Sequence, residues 1–348
     1  MKKLSRTDLS GMPEKLVCAE KAFCKGEHAM KTMLVGSTGF VGGNLAASHV
    51  FDGAYHSTDI EGAFGAQPDL LVYAGLPAAK YLANTDPAGD LAVVEQASRQ
   101  IRQIAPRRLV LISTVDVYSA PQGVDEDTPA DEENPAAYGR NRARLERMVR
   151  EAYPEALIVR LPGLFGKGLK KNFLYDMLTI TPAMLKTEKY EQLAEESPLV
   201  REAYVPARAG FYALRPLDAG TAHTLRTWFA AQPFNALSFT DSRAEYQFYD
   251  LARLWGDVCT ALDAGLTLLN LSTQPLSARE LYAQLTDGRT NAGQFTNELP
   301  GAPARYDMRS RHAALFGGAN GWCYEKETVL QDLRRFMDAA RGGRASNA

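Results

Sequence analysis

The stretch "TMLVGSTGFVGGN" (32–44) confines the possible folds more tightly than any other in this 348-residue chain. A short apolar run suited to a strand leads into Gly36-x-x-Gly39-x-x-Gly42, and the apolar "LAASHVF" (45–51) beyond it suits a helix. Glycines at that spacing let the backbone turn sharply and bring its N–H groups against a diphosphate, and the helix N-terminus that follows favours negative charge. Gly36, Thr38, Gly39, Phe40, Val41 and Gly42 are therefore candidate contacts to a dinucleotide. A glycine run alone also serves as a plain structural turn. Its position between strand and helix favours the nucleotide reading.

The pattern repeats downstream. Apolar runs at 69–75 ("DLLVYAG"), 108–114 ("RLVLIST"), 156–166 ("ALIVRLPGLFG") and 266–272 ("LTLLNLS") predict strands. Residues 90–105 carry Leu91, Val94, Ala97, Ile101 and Ile104 at helical spacing. Continuous apolar strands alternating with amphipathic helices indicate a parallel sheet covered on both faces. The expected fold is α/β, a Rossmann-type doubly wound parallel sheet with a smaller mixed α/β C-terminal lobe. We expect a leader over 1–30, with a short helix near Pro13 to Cys24. The dinucleotide-binding domain is expected over 31–166 plus about 238–272, and a substrate lobe over 167–237 plus 273–348. Residues 170–238 read as mixed helix and loop. A helix over 277–285 has Ser277 as cap and Glu280 at the capping-box position, and 326–340 is amphipathic.

A net charge of -2 with no basic block argues against nucleic-acid partners. No run of about twenty apolar residues suggests a membrane span, so a cytoplasmic protein is expected. Cys18 and Cys24 could hold a metal with His28, but scattered cysteines read better as reduced thiols, and no metal site is assigned.

Chemistry concentrates elsewhere. Asp59, in "YHSTDIE", stands about where dinucleotide folds place the acid that accepts ribose hydroxyls. Ser57 and Thr58 beside it could instead accommodate a ribose phosphate. "STVDVY" (113–118) emerges from a strand end, offering Ser113 and Thr114 as hydroxyls and Asp116 as a carboxylate. Asn134 as N-cap and Pro135 as first residue predict a helix that carries "YGRNR" (138–142), with Tyr138 and Arg142 on one face.

Together with "VYAGLPAA" (72–79), "VRLPGLFGKG" (159–168), "LLNLS" (268–272) and "LFGGANGW" (315–322), these motifs resemble the extended short-chain dehydrogenases/reductases, the NAD-dependent epimerase/dehydratase family. The matches span about residue 32 to the last helix. The resemblance implies NAD or NADP as cofactor, Ala74 and Gly75 lining it, Tyr138 as general acid/base, and Ser113 or Thr114 as its hydroxyl partner. It also implies a sugar nucleotide or related hydroxy/keto substrate, and a homodimer formed through the helices at 90–105 and 138–151. Lys167, Asn172, Arg208 and Arg243 are candidate substrate contacts, with Asp116 the one acid placed for a dehydration step.

Several positions depart from that family. Its catalytic lysine is Arg142 here. The Asn expected near Ala88–Asp90 has no counterpart, Gly163 stands where an Asn is common, and 42–69 is short, so one strand–helix unit is trimmed or absent. A fixed cation favours the phenolate and lowers a tyrosine's pKa, whereas an arginine cannot pass on a proton. Three readings stay open. Arg142 replaces the lysine, and Arg142→Lys retains or raises activity; or Lys80 or another lysine reaches in while Arg142 binds substrate; or the chain binds nucleotide as a sensor or assembly partner without hydride transfer.

Overall fold

The apolar runs become buried strands because each is long enough only to cross a sheet covered on both faces. The computed structural model describes residues 30–207, 210–286 and 295–345. Six parallel strands form its main sheet: β1 (Thr32–Val35), β2 (Gly53–Tyr55), β3 (Leu70–Tyr73), β4 (Arg108–Thr114), β5 (Leu157–Leu161) and β6 (Leu268–Asn270). They lie in the order β6-β5-β4-β3-β1-β2, with β1 between β3 and β2. The strand order reverses at β1, where open α/β sheets bind ligands beyond their strand ends.

Helices α1 (Phe40–Ser48), α2 (Lys80–Thr85), α3 (Pro87–Ile104), α4 (Ala137–Ala152) and α5 (Leu254–Asp263) surround it. Leu45 of α1 and Val258 of α5 share one core with Leu34, Val72 and Val159. Val94 and Ile101 of α3 and Leu145 and Val149 of α4 pack with Met33, Leu71 and Ile158 on the opposite face. The alternation of buried sides along each strand produces both layers, so the expected doubly wound architecture is the observed one.

Local boundaries differ from the sequence reading. Helix α1 begins at Phe40 and contains two of the glycines. Helix α4 begins at Ala137, and Asn134 is not its cap. The Asn134 side chain accepts from Ala136 N at 2.9 Å and donates to Asp116 O at 3.0 Å, tying the loop after β4 to the helix start. The strand–helix unit after α1 is trimmed rather than absent, since β2 has three residues and is followed by a 3-10 turn, Ile60–Ala63.

Contacts along the chain separate two units. The first holds the described residues up to Lys167, with Phe248–Gln274 and Asp307–Glu325; the second holds Gly168–Gln247, Pro275–Tyr306 and the described residues from Lys326. The expected division differs at 238–247 and at 307–325. The latter segment lies in the first unit because Asp307 and Met308 pair with Gln122 and Val124 and Tyr324 bridges to Thr273. The second unit is not merely helix and loop. Met184–Lys186, Phe211–Leu214 and Tyr204–Pro206 form a three-stranded antiparallel sheet around Leu185, Leu193, Val200, Tyr204 and Phe229. Each strand is too short to show a period in the sequence. The helix Ala278–Thr286 carries the expected box, with Glu280 N donating to Ser277 Oγ at 3.1 Å and Ser277 N donating to Glu280 Oε2 at 3.1 Å.

Candidate active site

The glycine turn is closed by contacts no side chain could share. Gly36 has φ +94°, and a Cβ there would lie 2.4 Å from Ala74 O, just past β3. A Cβ on Gly42 would lie 2.1 Å from Gly36 O, so α1 rests directly on the loop. Tyr55 O accepts from Gly36 N at 2.8 Å and Ser37 N at 3.1 Å, and Gly39 O accepts from Gly43 N at 2.8 Å. The amides of Phe40 and Val41, in the first turn of α1, have no intrahelical acceptor four residues back. They are free to take up a diphosphate, with Thr38 and Gly39 exposed beside them. The cradle fits a dinucleotide, and Ala74 and Gly75 stand at its edge, with Ala74 N donating to Val35 O at 2.9 Å.

Asp59, the candidate acid for the ribose hydroxyls, is half-exposed and makes local contacts. Its carboxylate accepts from His56 N at 2.7 Å and lies 3.1 Å from His56 Nε2, closing the turn after β2. His56, Ser57 and Thr58 are the residues that directly follow that strand.

Helix α4 presents Tyr138, Arg142 and Glu146 at successive steps of four. Gly139 makes this possible, because a Cβ there would lie 1.9 Å from Asp116 O. Tyr138 N donates to Asn84 Oδ1 at 3.0 Å. The phenol is only 8% exposed, and the Arg142 guanidinium carbon lies 4.2 Å from its ring centroid. Arg142 is 3% exposed. It pairs with Asp90 of α3 and donates to Pro77 O at 2.7 Å, while its Nε is buried without an acceptor.

Burial raises the Tyr138 pKa above the ordinary tyrosine value. Arg142 pulls it down, Asp116 pushes it up, and Lys80 and Thr114 lower it, but burial prevails. Arg142 thus acts on the phenol in the expected direction, and burial outweighs it. The guanidinium lies against the ring as foreseen, yet Asp90 compensates its charge and the phenol is largely shut from water.

The two candidate hydroxyls separate. Ser113 Oγ donates to Glu146 Oε1 at 2.5 Å, and Glu146 pairs with Arg160 at 2.6 Å, both side chains no more than 5% exposed. Arg160 also donates to Tyr118 Oη at 2.5 Å. Ser113 therefore belongs to an interior ion-pair network, whereas Thr114, half-buried at the end of β4, lowers the Tyr138 pKa. Thr114 Oγ1 donates to Asp116 Oδ2 at 2.9 Å, and Lys80 Nζ lies 2.6 and 2.7 Å from the two Asp116 oxygens and 5.8 Å from the Tyr138 ring centroid.

The described residues among the expected substrate contacts have local structural partners. Lys167 is fixed by its backbone, which exchanges hydrogen bonds with the Asn44 side chain at 2.9 and 3.0 Å, and its side chain is exposed. Asn172 caps the helix Phe173–Thr179, accepting from Tyr175 N at 3.2 Å. Arg243 pairs with Asp241 at 2.7 Å and Glu298 at 3.2 Å. Arg208, Cys18, Cys24 and His28 lie outside the described residues. Cys259 and Cys323 are buried thiols.

Sequence reasoning missed Asp90, Glu146 and Arg160. A signal was present: Arg160 is a charge inside the apolar strand "LIVRL", and such a residue requires a buried partner.

Residues 30–188 match the family described as the RmlD substrate binding domain. Among solved structures, the chain resembles dTDP-4-dehydrorhamnose reductase from Yersinia enterocolitica, with 13% identity and a TM-score of 0.58 over 90% of this chain and 100% of that one. RMD from Pseudomonas aeruginosa, complexed with NADPH, shares 18% identity with a TM-score of 0.56, covering 90% and 99%. The enzyme WbmG from Bordetella bronchiseptica, in complex with NAD and UDP, shares 16% with a TM-score of 0.59, covering 90% and 96%. No curated protein sequence matches. Among the described residues no helix is long and apolar enough to cross a membrane. The chain shares the fold of these solved structures, and its residues 30–188 match the RmlD substrate binding domain family.

Proposed function

We propose that the protein is an NAD(P)-dependent oxidoreductase of the reductase or epimerase type acting on a sugar nucleotide, with Tyr138 as acid/base and Thr114 as its hydroxyl partner. The observation that carries this reading is the meeting of Tyr138 with Thr114 and two cations, Arg142 and Lys80, at the strand ends next to the glycine cradle. Gly36, Gly39, Gly42, Ala74 and Gly75, with the amides of Phe40 and Val41, would hold the dinucleotide. When bound, that group supplies or accepts the hydride. Tyr138 then gives a proton to the substrate oxygen or takes one from it, Thr114 orients that oxygen, and the buried position of the phenol excludes water from the transfer. Similar structures solved with NADPH, and with NAD and UDP, support the cofactor and substrate classes. Asp116 is engaged by Lys80, which favours reduction or epimerisation over dehydration.

A second reading, a nucleotide-binding protein without hydride transfer, rests on the compensation of Arg142 by buried Asp90. Nicotinamide absorbance followed with NADH or NADPH and keto-sugar nucleotides, and product analysis with UDP-sugars, separates the two. We expect turnover, with Tyr138→Phe lowering kcat about a hundredfold or more. Tight cofactor binding with no turnover of any nucleotide sugar leaves the second reading standing.

A further inference from the structure

We infer that Asp90 is a positioning residue of the site. It clamps the Arg142 guanidinium against the Tyr138 ring and offsets its charge there, so that the phenol faces a balanced pair rather than a free cation. This deepens the proposed function and rests on it. Tyr138 stays the acid/base, and Asp90 acts on it only through Arg142.

Three segments converge on the guanidinium. Arg142, on α4, has its guanidinium carbon 4.2 Å from the Tyr138 ring centroid. It donates to Pro77 O at 2.7 Å, two residues beyond Gly75, and it pairs with Asp90 on α3. Its Nε is buried without an acceptor, so Asp90 is the one charged partner it has among the described residues. Asp90 is itself held in place. Its Oδ2 accepts from Asn141 Nδ2 at 2.8 Å, and the same amide reaches Pro87 O at 3.2 Å. It stands in the first turn of α3, which Asp86 caps by accepting from Gly89 N at 3.0 Å. A helix start favours a carboxylate at that place.

Burial decides which pair governs the phenol. The side chains of Arg142 and Asp90 are 3% and 9% exposed, so water screens neither charge well. Lys80 and Asp116 make a second pair, with Lys80 Nζ 5.8 Å from the ring centroid, but their side chains are 52% and 19% exposed. Charges open to solvent are screened and couple weakly. These four, Arg142 from α4, Asp90 from α3, Lys80 from α2 and Asp116 from the turn after β4, are the charged groups that face the phenol. A cation against the ring favours the phenolate, and a carboxylate bound to that cation removes much of the effect. The phenol, buried as it is, then keeps its proton more tightly than an ordinary tyrosine.

The test uses the full chain with Asp90→Asn, Arg142→Met and the two changes combined. The readout needs no turnover: titration of the Tyr138 ring carbon by NMR in tyrosine-labelled, nucleotide-free protein, with the resonance identified by its loss in Tyr138→Phe. Asp90→Asn keeps an oxygen that can accept from Arg142 but removes the offsetting charge. It should move the Tyr138 titration to lower pH by about one unit or more, and Arg142→Met should move it to higher pH. The combined variant removes both charges, which a buried pair tolerates better than the loss of one. Its titration should lie well below that of Arg142→Met and close to the wild type. In turnover, the limb of the kcat profile that reports Tyr138 should follow the same order. A carboxylate with only a structural task would change the unfolding midpoint and leave the phenol where it was. An Asp90→Asn titration that is unshifted or moved upward overturns the inference, and so does a combined variant displaced as far as Arg142→Met. Should Asp90→Asn fail to fold, the comparison of Arg142→Met with the combined variant decides alone. Absence of all turnover in the wild type defeats the proposed function instead, and the titration still decides whether Asp90 is coupled to Tyr138.

Discussion

The Arg142 guanidinium carbon sits 4.2 Å from the centre of the Tyr138 ring, one helical turn away on the same helix. That stacking, with the Asp90 pair, makes Arg142 part of the interior as much as part of the site.

Arg142→Met should therefore cost stability before it costs chemistry. It leaves Asp90, 9% exposed, without its cation, a change of about 3–5 kcal/mol in urea unfolding. Arg142→Lys keeps the charge but forfeits the bond to Pro77 O and the planar stack, at about 1–2 kcal/mol. We predict a modest loss of activity for Arg142→Lys, and activity retained or raised would support the reading in which Arg142 simply replaces the lysine. An Arg142→Met protein as stable as the wild type would contradict the buried-pair account.

Ser113 and Thr114 should separate cleanly in kinetics. Ser113→Ala removes a donor to Glu146 and should appear in unfolding free energy at about 1 kcal/mol with kcat nearly intact. Thr114→Val should reduce kcat about tenfold or more while stability changes little. The opposite pattern would return the catalytic hydroxyl to Ser113.

Gly42→Ala and Gly43→Ala make a matched pair. The added methyl would meet Gly36 O at 2.1 Å in the first and Ser37 O at 3.6 Å in the second. Nucleotide binding, followed by fluorescence, should be abolished by the first and kept within about twofold by the second, since ordinary van der Waals contact is tolerated.

Asp257 should make stability fall as pH rises across a defined window. Its carboxylate accepts from Tyr249 Oη at 2.6 Å and from Tyr324 Oη at 2.7 and 2.8 Å, yet burial pushes its pKa up to about 6. A pKa raised on folding means the native state holds the proton more tightly. The resulting stability is complete below the unfolded value of about 3.9 and is lost as pH climbs through the folded one. Unfolding free energy of the wild type minus that of Asp257→Asn should decline from about pH 4 to 6 and then level off. A flat difference would place the titration elsewhere.

Much of this was readable from local patterns. Strands β1, β3, β4, β5 and β6 fall inside apolar runs, since a strand buried on both faces must be apolar throughout. Strand β2 escaped notice because "GAY" has too few residues to show a pattern. The three-stranded sheet of the second unit was hidden for the same reason.

The sequence by itself determined the glycine turn, the sheet and the placing of Tyr138 and Arg142 on one helical face, because those depend on spacing within a few residues. Only the tertiary structure decided which charges meet there. Asp90, 52 residues from Arg142, neutralises it, and Lys80, 36 residues from Asp116, reaches the turn after β4. Electrostatic pairing depends on distance in space and on exclusion of water, and neither is written in the order of the residues.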